Sequence, residues 1–168
     1  MTSEFLIRLL ADALLVPIVV IGGYALLRYV PRGQRFAAYS RVLMAGLTAL
    51  LLAKLTATLW QPSELRPFLE QGVAPGAAYL DNPGFPSDHA LFSAAIALAV
   101  YFETPSRPLA AVVIVAVVLV CLGRVLALVH TPLDVLGGLF FACVGALWYG
   151  ARNGTQVAQQ ARKEYTKL

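Results

Sequence analysis

Gly84-Phe85-Pro86-Ser87-Asp88-His89 is a short polar hinge in a chain that is otherwise mostly hydrocarbon, and an apolar run begins directly behind it at Ala90. Pro86 and Ser87 read as a helix start, because proline is tolerated at the mouth of a helix and a serine oxygen caps free backbone N–H groups. Those N–H groups, at the positive end of the helix dipole, form a ready anion site. His89, two residues further in, can reach whatever they hold. Taken alone, the hexapeptide reads equally well as an ordinary serine-capped helix, and the rest of the chain decides between the two.

Outward from the hinge the chain is apolar in both directions. Of its 168 residues 59% are hydrophobic and only 13% charged, with a mean hydropathy of +0.72. A soluble domain is about half apolar and a quarter charged. Runs long enough to cross a bilayer recur. The expected fold is an all-α polytopic membrane bundle of about five transmembrane helices, in one domain over residues 1–168. No cleavable signal peptide is expected: Met1 to Glu4 lacks a basic segment, and the apolar run behind it is long enough to stay as a span. Cys121 and Cys143 lie inside apolar runs and read as two small buried hydrophobes, not as a disulfide framework. No Cys/His cluster has metal-ligand spacing.

Span one is expected from Phe5 to Val30, with Asp12 near one end facing water, headgroups or another helix. Pro17 and Gly22-Gly23 permit a bend or a close helix contact there. A basic connection leads to span two, Ala37 to Trp60, which contains Lys54. Gln61 to Phe85 is a long polar stretch with four prolines; such loops often serve as lids or binding loops, and Ser63 to Leu69 suits a short interfacial helix. Span three runs from Ser87 to Phe102 and span four from Leu109 to Val129. Span five opens on Thr131-Pro132-Leu133-Asp134, a good helix start, and continues to Tyr149.

Five spans put the two ends on opposite sides. Arg28, Arg32, Arg35, Arg41, Arg107, Arg152, Arg162, Lys163 and Lys167 share one side, against Arg8, Lys54, Arg66 and Arg124 on the other. Basic residues favour the cytoplasm, so the C-terminus is expected inside and the hinge outside. Trp60, Phe68, Tyr79 and Phe85 are expected to mark the outer interface, and Tyr29, Tyr39, Tyr101, Trp148 and Tyr149 the inner one. The net charge of +4 does not point to nucleic acid, because the basic residues flank spans instead of forming one aqueous face.

Lys54, Arg66, Ser87, His89, Arg124, His130 and Asp134 all fall at the outer ends of spans two to five. Charges in or near hydrocarbon are costly and usually mark function. Three cations and two histidines around a helix N-terminus describe a site for a dense anion, and phosphate fits best. In Arg124-Val125-Leu126-Ala127-Leu128-Val129-His130-Thr131-Pro132-Leu133-Asp134 the carboxylate stands one turn beyond the histidine. It can accept from one imidazole nitrogen and leave the other as a nucleophile. His89 is then free to protonate a leaving oxygen, and the cations stabilise the charge that develops. Singly, Asp134 reads as a helix-start residue and Arg124 as a snorkelling cation; together, on one face and in this order, they do not.

Pro86-Ser87-Asp88-His89 followed by Arg124-x5-His130-x3-Asp134 resembles the type 2 phosphatidic acid phosphatase (PAP2) superfamily, over roughly Lys54 to Gly138. The Pro-Ser-Asp-His form is similar to that of small bacterial undecaprenyl pyrophosphate phosphatases of the superfamily. The resemblance implies a helical membrane phosphatase with a phosphohistidine intermediate and no metal or other cofactor. It implies His130 as nucleophile, Asp134 as its partner, and His89 as acid for the leaving group. It implies Arg124, Ser87 and the backbone at Asp88 as phosphate ligands, joined by Arg66 and Lys54. Three positions depart from the family pattern: Leu59 stands where the first motif has lysine, Asp88 where the second has glycine, and Gly123 where the third has serine. An insertion near Gln61 to Leu65 would bring Lys54 into the first motif's place.

The resulting expectation is a lipid phosphatase in a bacterial inner membrane with its site on the extracytoplasmic side, acting on undecaprenyl pyrophosphate. Phosphatidylglycerophosphate or phosphatidic acid is the alternative substrate class. A non-catalytic phosphate-lipid binding or carrier protein is the alternative of another kind. Expected partners are the lipid phosphate or pyrophosphate and membrane lipids, not nucleic acid, with homo-oligomerisation left open.

Overall fold

The computed structural model describes residues 3–63 and 65–150. Glu64 and the basic tail residues Arg152, Arg162, Lys163 and Lys167 lie outside the described residues. The regular structure of the described residues is all helix: α1 (Ser3–Arg8), a π-helical turn (Leu9–Ala13), α2 (Leu15–Tyr29), α3 (Arg35–Leu59), α4 (Pro67–Glu70), α5 (Asp88–Glu103), α6 (Arg107–Leu126) and α7 (Pro132–Gly145), which tightens into a 3-10 turn over Ala146–Gly150.

Four helical stretches are long and apolar enough to cross a membrane: Ser3–Tyr29, Arg32–Leu59, Arg107–Leu126 and Pro132–Gly150. The fifth expected span, α5, has 16 residues. At a rise of 1.5 Å per residue it reaches ~24 Å, short of the ~30 Å hydrocarbon core. It is the central helix, packed against α2, α3, α6 and α7. Its C-terminal end closes on an ion pair, Arg41 Nε and Nη2 donating to the two Glu103 oxygens at 2.7 Å each. Its core is built from small residues, among them Ala90, Ser93, Ala94, Ala97 and Ala99. Small side chains let helices approach closely where lipid gives no hydrophobic drive for association.

The first span is bent where the sequence allows it. Pro17 has no N–H for the carbonyl four residues back, and its ring crowds that carbonyl at Ala13. The backbone answers with the π turn at Leu9–Ala13, just ahead of it. The proline-containing stretch Gln61 to Phe85 is mostly loop, with α4 at its start close to the expected short helix.

Several side chains sit otherwise than the apolar pattern implies. Phe68, Phe85 and Tyr149 are buried within the protein instead of marking an interface. Cys143 is exposed and Cys121 half-buried, both unpaired, where buried cysteines were expected. A membrane bundle is apolar outside as well as inside, so hydropathy does not tell its two faces apart.

Candidate active site

Two helix starts, those of α5 and α7, meet at one end of the bundle. Ser87 caps α5, its Oγ accepting from Ala90 N at 3.5 Å, and its own N–H donates to the Asp134 carbonyl at 2.9 Å. The side chain is fully buried in this structural task. The approach of α7 to this cap depends on Gly138: a Cβ there would fall 2.5 Å from the Ser87 carbonyl oxygen and 2.9 Å from Leu91 N, both backbone atoms. His89, in the first turn of α5, is thereby held beside the segment that carries His130.

That segment starts where α6 stops. Leu128 takes the left-handed conformation, with φ of 57°, and turns the chain sharply toward Val129 and His130. Thr131 then caps α7 reciprocally: its Oγ1 accepts from Asp134 N at 3.1 Å, and Asp134 Oδ2 accepts from Thr131 N at 2.8 Å. The same Oδ2 lies 3.5 Å from His130 Nδ1. That contact is long and not aligned as a hydrogen bond, and the buried Nδ1 has no partner among the described residues. Burial is the main cause that pushes His130 below the ordinary histidine range, with Arg124 and Arg66 adding to it against the pull of Asp134.

The cations come from three further elements. Lys54, near the C-terminal end of α3, holds both Asp88 carboxylate oxygens at 2.8 Å. The acid that replaces the motif glycine thus has a partner of its own. Arg66 is buried and lies against the α6–α7 turn: Nη1 donates to the Val129 carbonyl at 2.5 Å, Nη2 to the Leu80 carbonyl at 3.1 Å and to Asn82 Oδ1 at 2.8 Å, and Nε to the Asn82 carbonyl at 3.1 Å. Two backbone bonds strap the same loop down, Phe68 N to the Leu128 carbonyl and Gly76 N to the Ala127 carbonyl, each 3.0 Å. Arg124, only 2% exposed, donates through Nη1 to Asp12 Oδ1 at 2.7 Å, while its buried Nε has no partner among the described residues.

Lys54, Arg66, Asp88, His89, Arg124 and His130 line one cavity of about 390 Å³. Ser87 and Asp134 stand just behind it, one as a helix cap and the other behind His130. A second space, of about 550 Å³ and almost wholly apolar, lies between α3 and α5. It shares Lys54 and Asp88 with the polar cavity and continues past Leu50 and Phe92 to Leu26 and Tyr149. Other polar side chains lie in or beside the polar cavity. Gln61 lines the cavity and bridges the Ala57 and Phe85 carbonyls through Nε2. Asp12 arrives from the π turn, 3.9 Å from His89 Nε2. The signal for Asp12 was the presence of opposite charges inside two apolar spans, at positions 12 and 124, each costly without the other.

A family model described as the PAP2 superfamily matches residues 36–155, well over half of the chain and every motif residue from Lys54 to Asp134. The chain belongs to the PAP2 superfamily. No curated protein and no solved structure matches it. PAP2 proteins are phosphatases on a helical membrane fold, and the four apolar spans fit that fold. The matched region begins after Asp12, so the PAP2 pattern does not contain that residue.

Proposed function

We propose that this PAP2 protein is a lipid phosphatase that removes a terminal phosphate through a phosphohistidine, and that its substrate is undecaprenyl pyrophosphate, released as the monophosphate. The observation that carries the reading is the junction of the two spaces. A polar cavity with three cations and both histidines opens at Lys54 and Asp88 onto an apolar groove between α3 and α5. A phosphate in the first space and a hydrocarbon chain in the second describe a lipid phosphate. The Pro86-Ser87-Asp88-His89 form favours the polyprenyl pyrophosphate within that class.

In the first step a neutral His130 nitrogen attacks phosphorus while the bond to the leaving oxygen breaks, and His89 gives that oxygen a proton. Arg124, with Lys54 and Arg66 in the same cavity, stabilises charge on the remaining phosphoryl oxygens. In the second step water attacks phosphorus, the P–N bond breaks, and the proton lost by water returns to His89. The chemistry is proposed to need no metal. The site is proposed to face the extracytoplasmic side of a bacterial inner membrane with the C-terminus inside. The arginines Arg28, Arg32, Arg35 and Arg107, all at the other end of the bundle, support that orientation.

The test is phosphate release from undecaprenyl pyrophosphate by detergent-purified protein in excess EDTA, with His130→Ala in parallel. Release by the natural protein alone is expected. Release confined to phosphatidylglycerophosphate or phosphatidic acid would move the substrate to the phospholipid monoesters. Phosphate binding without release from any of these lipids would make the protein a binder or carrier and end the enzymatic reading.

A further inference from the structure

Asp12 is one of two acids that face His89. The charged or titratable groups around that imidazole are Arg124 from α6, His130 from the α6–α7 turn, Asp88 from its own helix and Asp12 from the first span. Asp88 is held through both its oxygens by Lys54. Asp12 divides its oxygens differently: Oδ1 accepts from Arg124 Nη1 and lies 3.9 Å from His89 Nε2, while Oδ2 accepts the Ala78 N–H of the outer loop at 2.9 Å.

Two backbone devices hold it there. The π turn at Leu9–Ala13 carries it. Gly123 lets that turn press on α6, since a Cβ at position 123 would lie 2.6 Å from Ala11 N and 2.8 Å from the Leu10 carbonyl carbon. The absence of a side chain just before Arg124 is therefore what admits the first span, with its acid, to the site. An intramembrane carboxylate is expensive and is retained for a function.

We propose that Asp12 is a positioning residue of the active site, the countercharge that holds His89 ready to protonate the leaving oxygen, much as Asp134 stands behind His130. The inference rests on the phosphatase reading above. In the step concerned His130 forms the P–N bond, the P–O bond to the leaving group breaks, and the proton passes from His89 to that oxygen. Asp12 stays a carboxylate throughout, balancing the imidazolium before the transfer.

A leaving-group comparison isolates this role from bracing. An alkoxide needs a proton to depart, whereas a nitrophenolate departs without one. Single-turnover release is measured for an alkyl phosphate lipid and for a nitrophenyl phosphate carrying the same alkyl tail, with the natural protein and Asp12→Asn. That change keeps an oxygen for Arg124 and removes the charge. The expected loss is about tenfold or more greater for the alkyl than for the aryl substrate, with Asp12→Glu recovering part of the difference. Thermal unfolding in the same detergent checks the fold, and Asp12→Ser takes the place of Asp12→Asn if the latter is not recovered folded. Equal loss on both substrates, or no loss, overturns the inference and leaves Asp12 a brace for Arg124 and the loop. If the natural protein releases neither leaving group, the phosphatase reading falls first and the inference with it.

Discussion

His130 Nδ1 and Asp134 Oδ2 stand 3.5 Å apart at the start of α7, and that same oxygen already accepts from Thr131 N at 2.8 Å. One carboxylate therefore serves both a helix start and a histidine. Asp134→Asn separates the two duties, because an amide oxygen can still accept from Thr131 while the charge behind the imidazole is gone. The first-step rate is expected to fall by about a hundredfold or more, with stability lowered by no more than about 1 kcal/mol. Comparable losses in melting temperature and rate would show the pair to be only a cap.

The acid limb of activity follows from His130. In the proposed mechanism its attacking form is the neutral imidazole, and burial places its proton loss below the ordinary histidine value. A lowered value means that the neutral form persists as the pH falls, so kcat/KM is expected to hold through pH ~6.5 and decline only below it. A pH profile with its acid limb above ~6.5 would contradict the environment described for this residue.

Arg66 lines the cavity, yet its guanidinium makes four hydrogen bonds to Leu80, Asn82 and Val129. Arg66→Ala is expected to cost about 1–3 kcal/mol by leaving these acceptors unpaired, to raise KM, and to make the Gln61 to Phe85 loop sensitive to protease. Lysine cannot reproduce the fork, so Arg66→Lys is expected to recover little of this. A variant with unchanged melting and protease resistance, but poor turnover, would restrict Arg66 to phosphate contact.

At the other end of α5, Glu103 is almost fully buried against Arg41. Glu103→Ala leaves a guanidinium without its carboxylate and is expected to destabilise the protein by about 3 kcal/mol or more. Unfolding in detergent is the measurement, and replacing both residues by apolar ones of similar size is expected to recover much of the loss. A single variant as stable as the natural protein would mean that water reaches the pair.

How much of this was legible depended on range. Ser87, His89, Arg124, His130 and Asp134 each carry a local signal, a cap, a turn or an isolated charge, and the structure places them together. Lys54 was readable from its depth in span two, although Leu59 occupies the motif position; it lines the cavity from α3, holding Asp88. Asp12 was not assigned to the site. Its meaning lies in Arg124, 112 positions away, and in a backbone approach that only Gly123 permits. Phe68, Phe85, Tyr149 and the cysteines were misplaced for a different reason: where lipid replaces water, an apolar residue gains little by turning inward, and the pattern that sorts a soluble core falls silent.

The groove between α3 and α5 is open along its side toward the outside of the bundle, where Leu43, Leu47 and Phe92 are exposed. A substrate entering by that route arrives within the plane of the bilayer and never dissolves in water. Turnover would then be set by the fraction of lipid molecules that are substrate, not by the amount in the tube. Diluting the membrane with inert lipid at fixed bulk substrate would slow the reaction as surely as withholding substrate.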